Sequence, residues 1–205
     1  MATESTDTAF RKDPGATRER MIVKTLLTCC LLSLGLNVAS AAPRPDFPPV
    51  VERDGVTLTL RGVALLRGGY IFKVYWASLH VSEGASTTNV LGDVAKRLEL
   101  VYLRNISAAD LISAGDDALR RQVPADQLKA LQPRIDRINA WYRDVKPGDR
   151  YTLTYIPGFG SELALNGAPL GVVEGADFAS AYFGIWLDPR IPYKDFHARI
   201  TGQSD

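Results

Sequence analysis

Hydrophobic and polar positions do not alternate between Tyr70 and Val81, where YIFKVYWASLHV is β-branched or aromatic on both parities. A strand with that pattern is covered on both faces, so it is predicted to lie at the centre of a sheet. Shorter strands are predicted at Val56 to Leu60, ending near Gly62, and at Lys96 to Leu103. Alternation with threonine returns at Tyr151 to Ile156. Pro157-Gly158-Phe159-Gly160 turns the chain, Ser161 to Leu165 runs back, and Asn166-Gly167 is a two-residue hairpin signal before Ala168 to Val173.

Helical spacing fills the gaps between these runs. Ser107-Ala108-Ala109-Asp110 resembles a capping box and leads into Leu111, Ile112, Ala118 and Leu119. Leu128, Leu131, Ile135, Ile138 and Tyr142 fall on one helical face. Pro124 stands near its start, Pro133 is a kink or restart, and Pro147-Gly148 is the stop. Asp177 is a candidate cap for a last helix whose stripe is Phe178, Ala181, Tyr182, Ile185 and Trp186, ended by Asp188-Pro189. That stripe reads as core. Strands and helices in separate blocks predict an α+β fold, an antiparallel sheet with helices packed on one face.

The N-terminal segment has a different character. Residues 1–20 are polar and charged without an apolar period, and read as disordered or as a misassigned start. From Met21, a basic Lys24, the apolar segment Leu26 to Val38 and Ala39-Ser40-Ala41 have the order of a secretory signal over residues 21–41, cleaved before Ala42. A membrane anchor would need about 20 apolar residues, and this run is shorter, so no stable membrane span is expected after cleavage. Residues 42–54 form a proline-rich lead, read as a spacer, and 55–202 the folded domain. The expected location is the periplasm.

Export changes what the cysteines and charges mean. Cys29 and Cys30 lie inside the signal, so the mature chain carries no thiol or disulfide and depends on its core. Subtracting the five basic and four acidic residues of Met1 to Ala41 from 24 and 23 leaves 19 of each, a balance that gives nucleic acid nothing to hold. His80 and His197 have no companion at ligand spacing, so no metal is expected. No nucleotide-binding glycine motif occurs, PGFG being a hairpin turn, and no cofactor is expected.

The remaining chemistry is concentrated where the long strand begins. Arg67 precedes two glycines, and Lys73 and Tyr75 follow on an otherwise apolar strand. Cations and a phenol beside apolar surface suit an amphiphilic anion, whose tail needs dry walls and whose buried head needs charged or hydroxyl donors. Each residue also has a purely structural reading. Arg67 can be a solvated turn residue, Lys73 a stem lying along the strand edge, and Tyr75 a core tyrosine with a satisfied hydroxyl. Phe72 and Trp76 fall on the opposite parity and read as packing.

RGGYIFKVYWASLHV (Arg67 to Val81), KRLELVYLRNISAADL (Lys96 to Leu111) and NGAPLGVVEGADFASAYFGIWL (Asn166 to Leu187), in this order and spacing, resemble the bacterial branch of the chalcone isomerase-like family. The resemblance runs from about Gly55 to Gly202 and implies an open-faced β-sandwich. Arg67 matches the arginine that the isomerase places before its long strand. The positions of its catalytic tyrosine, strand lysine and helix asparagine fall at Leu111, near Tyr102 and near Ala118, so no catalytic residues are assigned. Tyr75 stands where the isomerase has a threonine, which is similar to the fatty-acid-binding branch, where an arginine and a tyrosine grip a carboxylate. The resemblance therefore implies a non-catalytic binder of a fatty acid or similar apolar carboxylate, with Arg67, Tyr75 and Lys73 as ligand contacts. Two alternatives remain: an isomerase or intramolecular lyase on another substrate, and an envelope accessory protein with a closed pocket and a protein partner.

Overall fold

A computed structural model describes residues 43–68, 72–86 and 89–203. Both expectations for residues 1–41, and Tyr70 and Ile71 of the long strand, lie outside these. Seven strands follow one another in space as in sequence: β1 (Val50–Arg53), β2 (Val56–Gly68), β3 (Phe72–Ser82), β4 (Lys96–Tyr102), β5 (Arg150–Ile156), β6 (Gly160–Leu165) and β7 (Ala168–Val173). Every neighbouring pair is antiparallel. Among the described residues four helices accompany them: α1 (Ala108–Gln122), α2 (Ala125–Asn139), α3 (Ala176–Leu187) and α4 (Lys194–Ile200). The sheet curls into a half-barrel. Arg53 of β1 reaches Glu162 of β6 at 2.5 Å, although the two strands are far apart in strand order.

Strand register sorts side chains onto two chemically different faces. Tyr75, Ala77, Leu79 and Val81 of β3 stand opposite Tyr102, Leu100, Leu98 and Lys96 of β4, which in turn oppose Tyr151, Leu153 and Tyr155 of β5. This face packs against the helices through buried Leu119, Ile135, Ile138, Phe178, Phe183 and Leu187. Lys96 is its one buried cation among the described residues. Its Nζ donates to the carbonyls of Gly92 (2.7 Å) and Val94 (3.1 Å) and lies 4.8 Å from the Tyr155 ring centre, while burial lowers its pKa to about 8.

The other face is polar yet also buried. Ser78, His80, Glu99, Thr152 and Thr154 are almost completely covered, and Glu99 is bridged by Arg97 and Arg150. Part of the cover is the proline-rich lead, which is packed rather than free. Phe47 is buried under the Arg150 guanidinium, the Pro48 carbonyl accepts a bond of 2.8 Å from His80 Nε2, and the Pro49 carbonyl accepts from Leu60 N. Glu162, whose place in a hairpin suggests exposure, is mostly covered by its ion pair.

Several elements differ from their sequence patterns for identifiable reasons. β2 runs through Gly62 to Gly68 because Arg61 is absorbed in a bulge and Gly62 lies against the end of α4. A Cβ at Gly62 would overlap the Arg199 carbonyl and stand 2.6 Å from that of Ile200. α2 passes through Pro133 without interruption. Ser107 caps α1 as expected, accepting from Asp110 N at 3.1 Å. Asp177 does not cap α3: the cap is Gly175, at a φ of 105°, and Asp177 sits in the first turn bound to Arg134. β1 and α4 have no counterpart in the pattern reading, being four and seven residues long.

Two outcomes test this arrangement. Gly62→Ala should cost about 1–3 kcal/mol by urea unfolding, since two backbones must part; a cost under about 0.5 kcal/mol would contradict the contact. Burial, opposed by the bond to Pro48 and by Glu99, holds the His80 pKa below its ordinary 6.5. Below pH 6.5 the unfolded chain therefore binds a proton there that the folded chain does not, and stability falls as pH falls. His80→Gln should flatten that acid-side slope, and an unchanged slope would contradict it.

Candidate functional site

Between the apolar sheet face and the helices lies a cavity of about 600 Å³. Its floor is Tyr75, Leu100 and Tyr102; its roof is Leu111, Ala114, Gly115 and Ala118 of α1. Ile185 and Trp186 of α3 form one wall, and Ile191 to Tyr193 with Phe196 another. The space exists because the roof is built from small side chains: a Cβ on Gly115 would meet only Ile185 Cδ1, at 3.9 Å. A β-bulge adds to the floor. Leu66 pairs with Tyr75 and Arg67 with Lys73, which leaves Val74 outside the register and lets the consecutive residues Val74 and Tyr75 both line the cavity.

The polar groups inside are mainly phenols. Trp186 Nε1 donates to the Tyr75 hydroxyl at 3.0 Å, and the Tyr142 and Tyr182 hydroxyls are 3.0 Å apart. The Tyr102 hydroxyl has no hydrogen-bond partner among the described residues, and its ring meets those of Tyr75 and Tyr151 edge-on. Burial pushes these four phenols up, Tyr142 to about 12 and Tyr75, Tyr102 and Tyr182 well above their ordinary value, although the bonds to Tyr75 and Tyr142 oppose it. They stay protonated and can act as neutral donors. Charge is confined to the rim. Asp117 pairs with Arg120, Asp110 with Ser107, and Arg190 with Asp188 (2.6 Å), while Arg121 has no ion pair among the described residues.

The three expected ligand contacts are not brought together. Tyr75 is in the cavity floor. Arg67, exposed and of opposite parity to Leu66, lines a separate groove of about 820 Å³ beside α4. Lys73, half-buried across the hairpin from Arg67, lines neither. Leu111, Tyr102 and Ala118, where the family's polar participants fall, all line the cavity. Trp186 and Ile185 are half-buried wall rather than core, and Phe72, expected as packing, is 57% exposed beside Arg104. Arg121 and the Tyr142–Tyr182 pair escaped the sequence reading, because helical spacing marks a residue as inward without distinguishing core from cavity. The one available signal was the small-residue face Ala114, Gly115 and Ala118 of α1. Among the described residues no group of three His, Cys, Asp or Glu could hold a metal.

Hydroxyl partnering predicts an ordering. Tyr75→Phe leaves Trp186 Nε1 without its acceptor and should cost about 0.5–1.5 kcal/mol, whereas Tyr102→Phe should cost less than that. Urea unfolding of both variants measures it; a larger cost for Tyr102→Phe would contradict the assignment.

Comparison with known proteins agrees with this fold. The crystal structure of a fatty-acid binding protein from Arabidopsis thaliana is similar in fold, with a TM-score of 0.56 and 14% sequence identity, covering 77% of this chain and 91% of that one. No curated protein matches the sequence. A family model described as chalcone isomerase-like matches residues 44–198, nearly the whole described domain. The chain therefore belongs to the chalcone isomerase-like family.

Proposed function

We propose that this protein binds a fatty acid or similar apolar carboxylate without transforming it. The observation that carries this reading is the cavity of about 600 Å³, apolar along its length and supplied with protonated phenols. Its volume lies in the range typical of small-molecule sites, about 300–1,000 Å³. Burying a dozen methylenes at about 0.8 kcal/mol each contributes on the order of 10 kcal/mol before association costs, so the tail dominates affinity. A charged hydrogen bond adds roughly 1.5–3 kcal/mol, and the head sets orientation and the preference for acids.

Two sites for the head group follow from the geometry. The unpaired Arg121 at the rim and the Tyr102 hydroxyl inside belong to the cavity itself. Arg67 is reached only past Leu66, Pro192, Tyr193 and Phe196, which line both the cavity and the groove. Tyr75 serves as wall, its oxygen shared with Trp186, and Lys73 has no place in the cavity lining. Arg121 is the stronger candidate. Catalysis is disfavoured because general acid–base work needs a pKa near the working pH: burial raises the phenols, Leu111 and Ala118 offer no titratable group, and the lining carboxylates Asp110 and Asp117 are engaged by Ser107 and Arg120. Export through residues 21–41 is part of the proposal and rests on the signal-like order of that segment. N-terminal sequencing of the secreted protein should start at Ala42.

Calorimetry with oleate and oleyl alcohol tests the binding claim. Delipidated wild type should bind oleate, and Ala118→Trp, which fills the roof, should abolish binding with the fold intact. Arg121→Ala should weaken oleate by about tenfold and hardly affect the alcohol. The same selective loss on Arg67→Ala instead would move the head into the groove. No oleate binding by wild type, or equal loss of acid and alcohol in both variants, would contradict the carboxylate site.

A further inference from the structure

The groove beside α4 is chemically unlike the cavity it adjoins. Arg44 from the lead, Arg67 from β2, and Lys194 and Arg199 from α4 line it, against one carboxylate, Asp195. Lys194 is tied to the Pro189 carbonyl, but Arg44, Arg67 and Arg199 have no ion pair or hydrogen bond from their side chains among the described residues. Unpaired guanidiniums along one groove give it a positive potential that attracts an anion. The wall of the groove also includes a residue with an orphan donor. Trp76 lines it, and the Trp76 Nε1–H is buried with no acceptor among the described residues, a state that few buried polar groups occupy. Indole can only donate, so what satisfies it must be an acceptor.

We infer that this groove is a second site, for a phosphate-class anion. A dianion with several acceptor oxygens matches dispersed guanidiniums and an N–H donor better than a single carboxylate does, and guanidinium forks suit phosphate geometry. At about 820 Å³ the groove has room for more than a bare ion, so the phosphate is that of a monoester or of a lipid head group. Tyr193, 49% exposed, borders both spaces. An amphiphile with its chain in the cavity could therefore place its phosphate here. The anion site does not depend on the cavity being occupied.

The test compares wild type with the double variant R44Q/R199Q, neither of whose positions lines the cavity. Calorimetry uses sn-glycerol 3-phosphate, 1-oleoyl lysophosphatidate, 1-oleoylglycerol and oleate. Both phosphate probes should weaken about tenfold or more in the variant while 1-oleoylglycerol and oleate stay within about twofold. Loss confined to glycerol phosphate also supports the site and assigns it to free monoesters; loss confined to the lysolipid assigns it to a head group. No change with either phosphate probe, failure of both to bind wild type, or an equal loss of 1-oleoylglycerol would overturn the inference. If oleate fails to bind wild type and glycerol phosphate still weakens in the variant, the cavity reading fails and the groove stands.

Discussion

The hydrogen bond from Trp186 Nε1 to the Tyr75 hydroxyl joins the last long helix to the central strand where the interior changes from packed core to open cavity. On one side of it, Phe178, Phe183 and Leu187 seat α3 on the sheet. On the other, Ile185 and Trp186 line the cavity together with the small roof of α1. A buried phenol and an indole each need a partner, and each is the other's. The bond ties one wall of the cavity to its floor, so it positions both at once.

Around that contact, the sheet holds two incompatible environments apart. Register alone directs Tyr75, Leu79, Leu98 and Leu153 to the helices and Ser78, His80, Glu99 and Thr152 to the other side. The polar side is covered as well, by the curl of the sheet and by Phe47 and Pro48, so the half-barrel has both an apolar and a polar interior. Four of the buried polar atoms without partners, in Trp76, Ser78, His80 and Arg97, lie on the polar side. The apolar side has fewer such demands, which suits it to a hydrocarbon chain.

Much of this was legible in the residues. Both-face hydrophobicity from Phe72 to Val81 requires a central strand, Asn166-Gly167 requires a tight hairpin, and Ser107 caps a helix by local bonding alone; each depends on neighbours in sequence. What the residues do not announce depends on neighbours in space. The lead has the composition of a spacer, and the partners it packs on, His80 and Arg150, lie well downstream. Arg67 and Tyr75 are close in sequence but separated by a bulge that no pattern announces. Tyr142, Tyr182 and Trp186 have the spacing of core residues, and only the small roof opposite them turns core into wall.

The central claim is that the cavity holds an acyl chain in the protein as it exists. Native mass spectrometry of protein purified without detergent addresses this directly, because affinity dominated by buried methylenes should survive purification. The account predicts a retained mass matching one fatty acid per chain in wild type and its absence in Ala118→Trp. Only the apo mass in wild type, or the same adduct in both proteins, would contradict it.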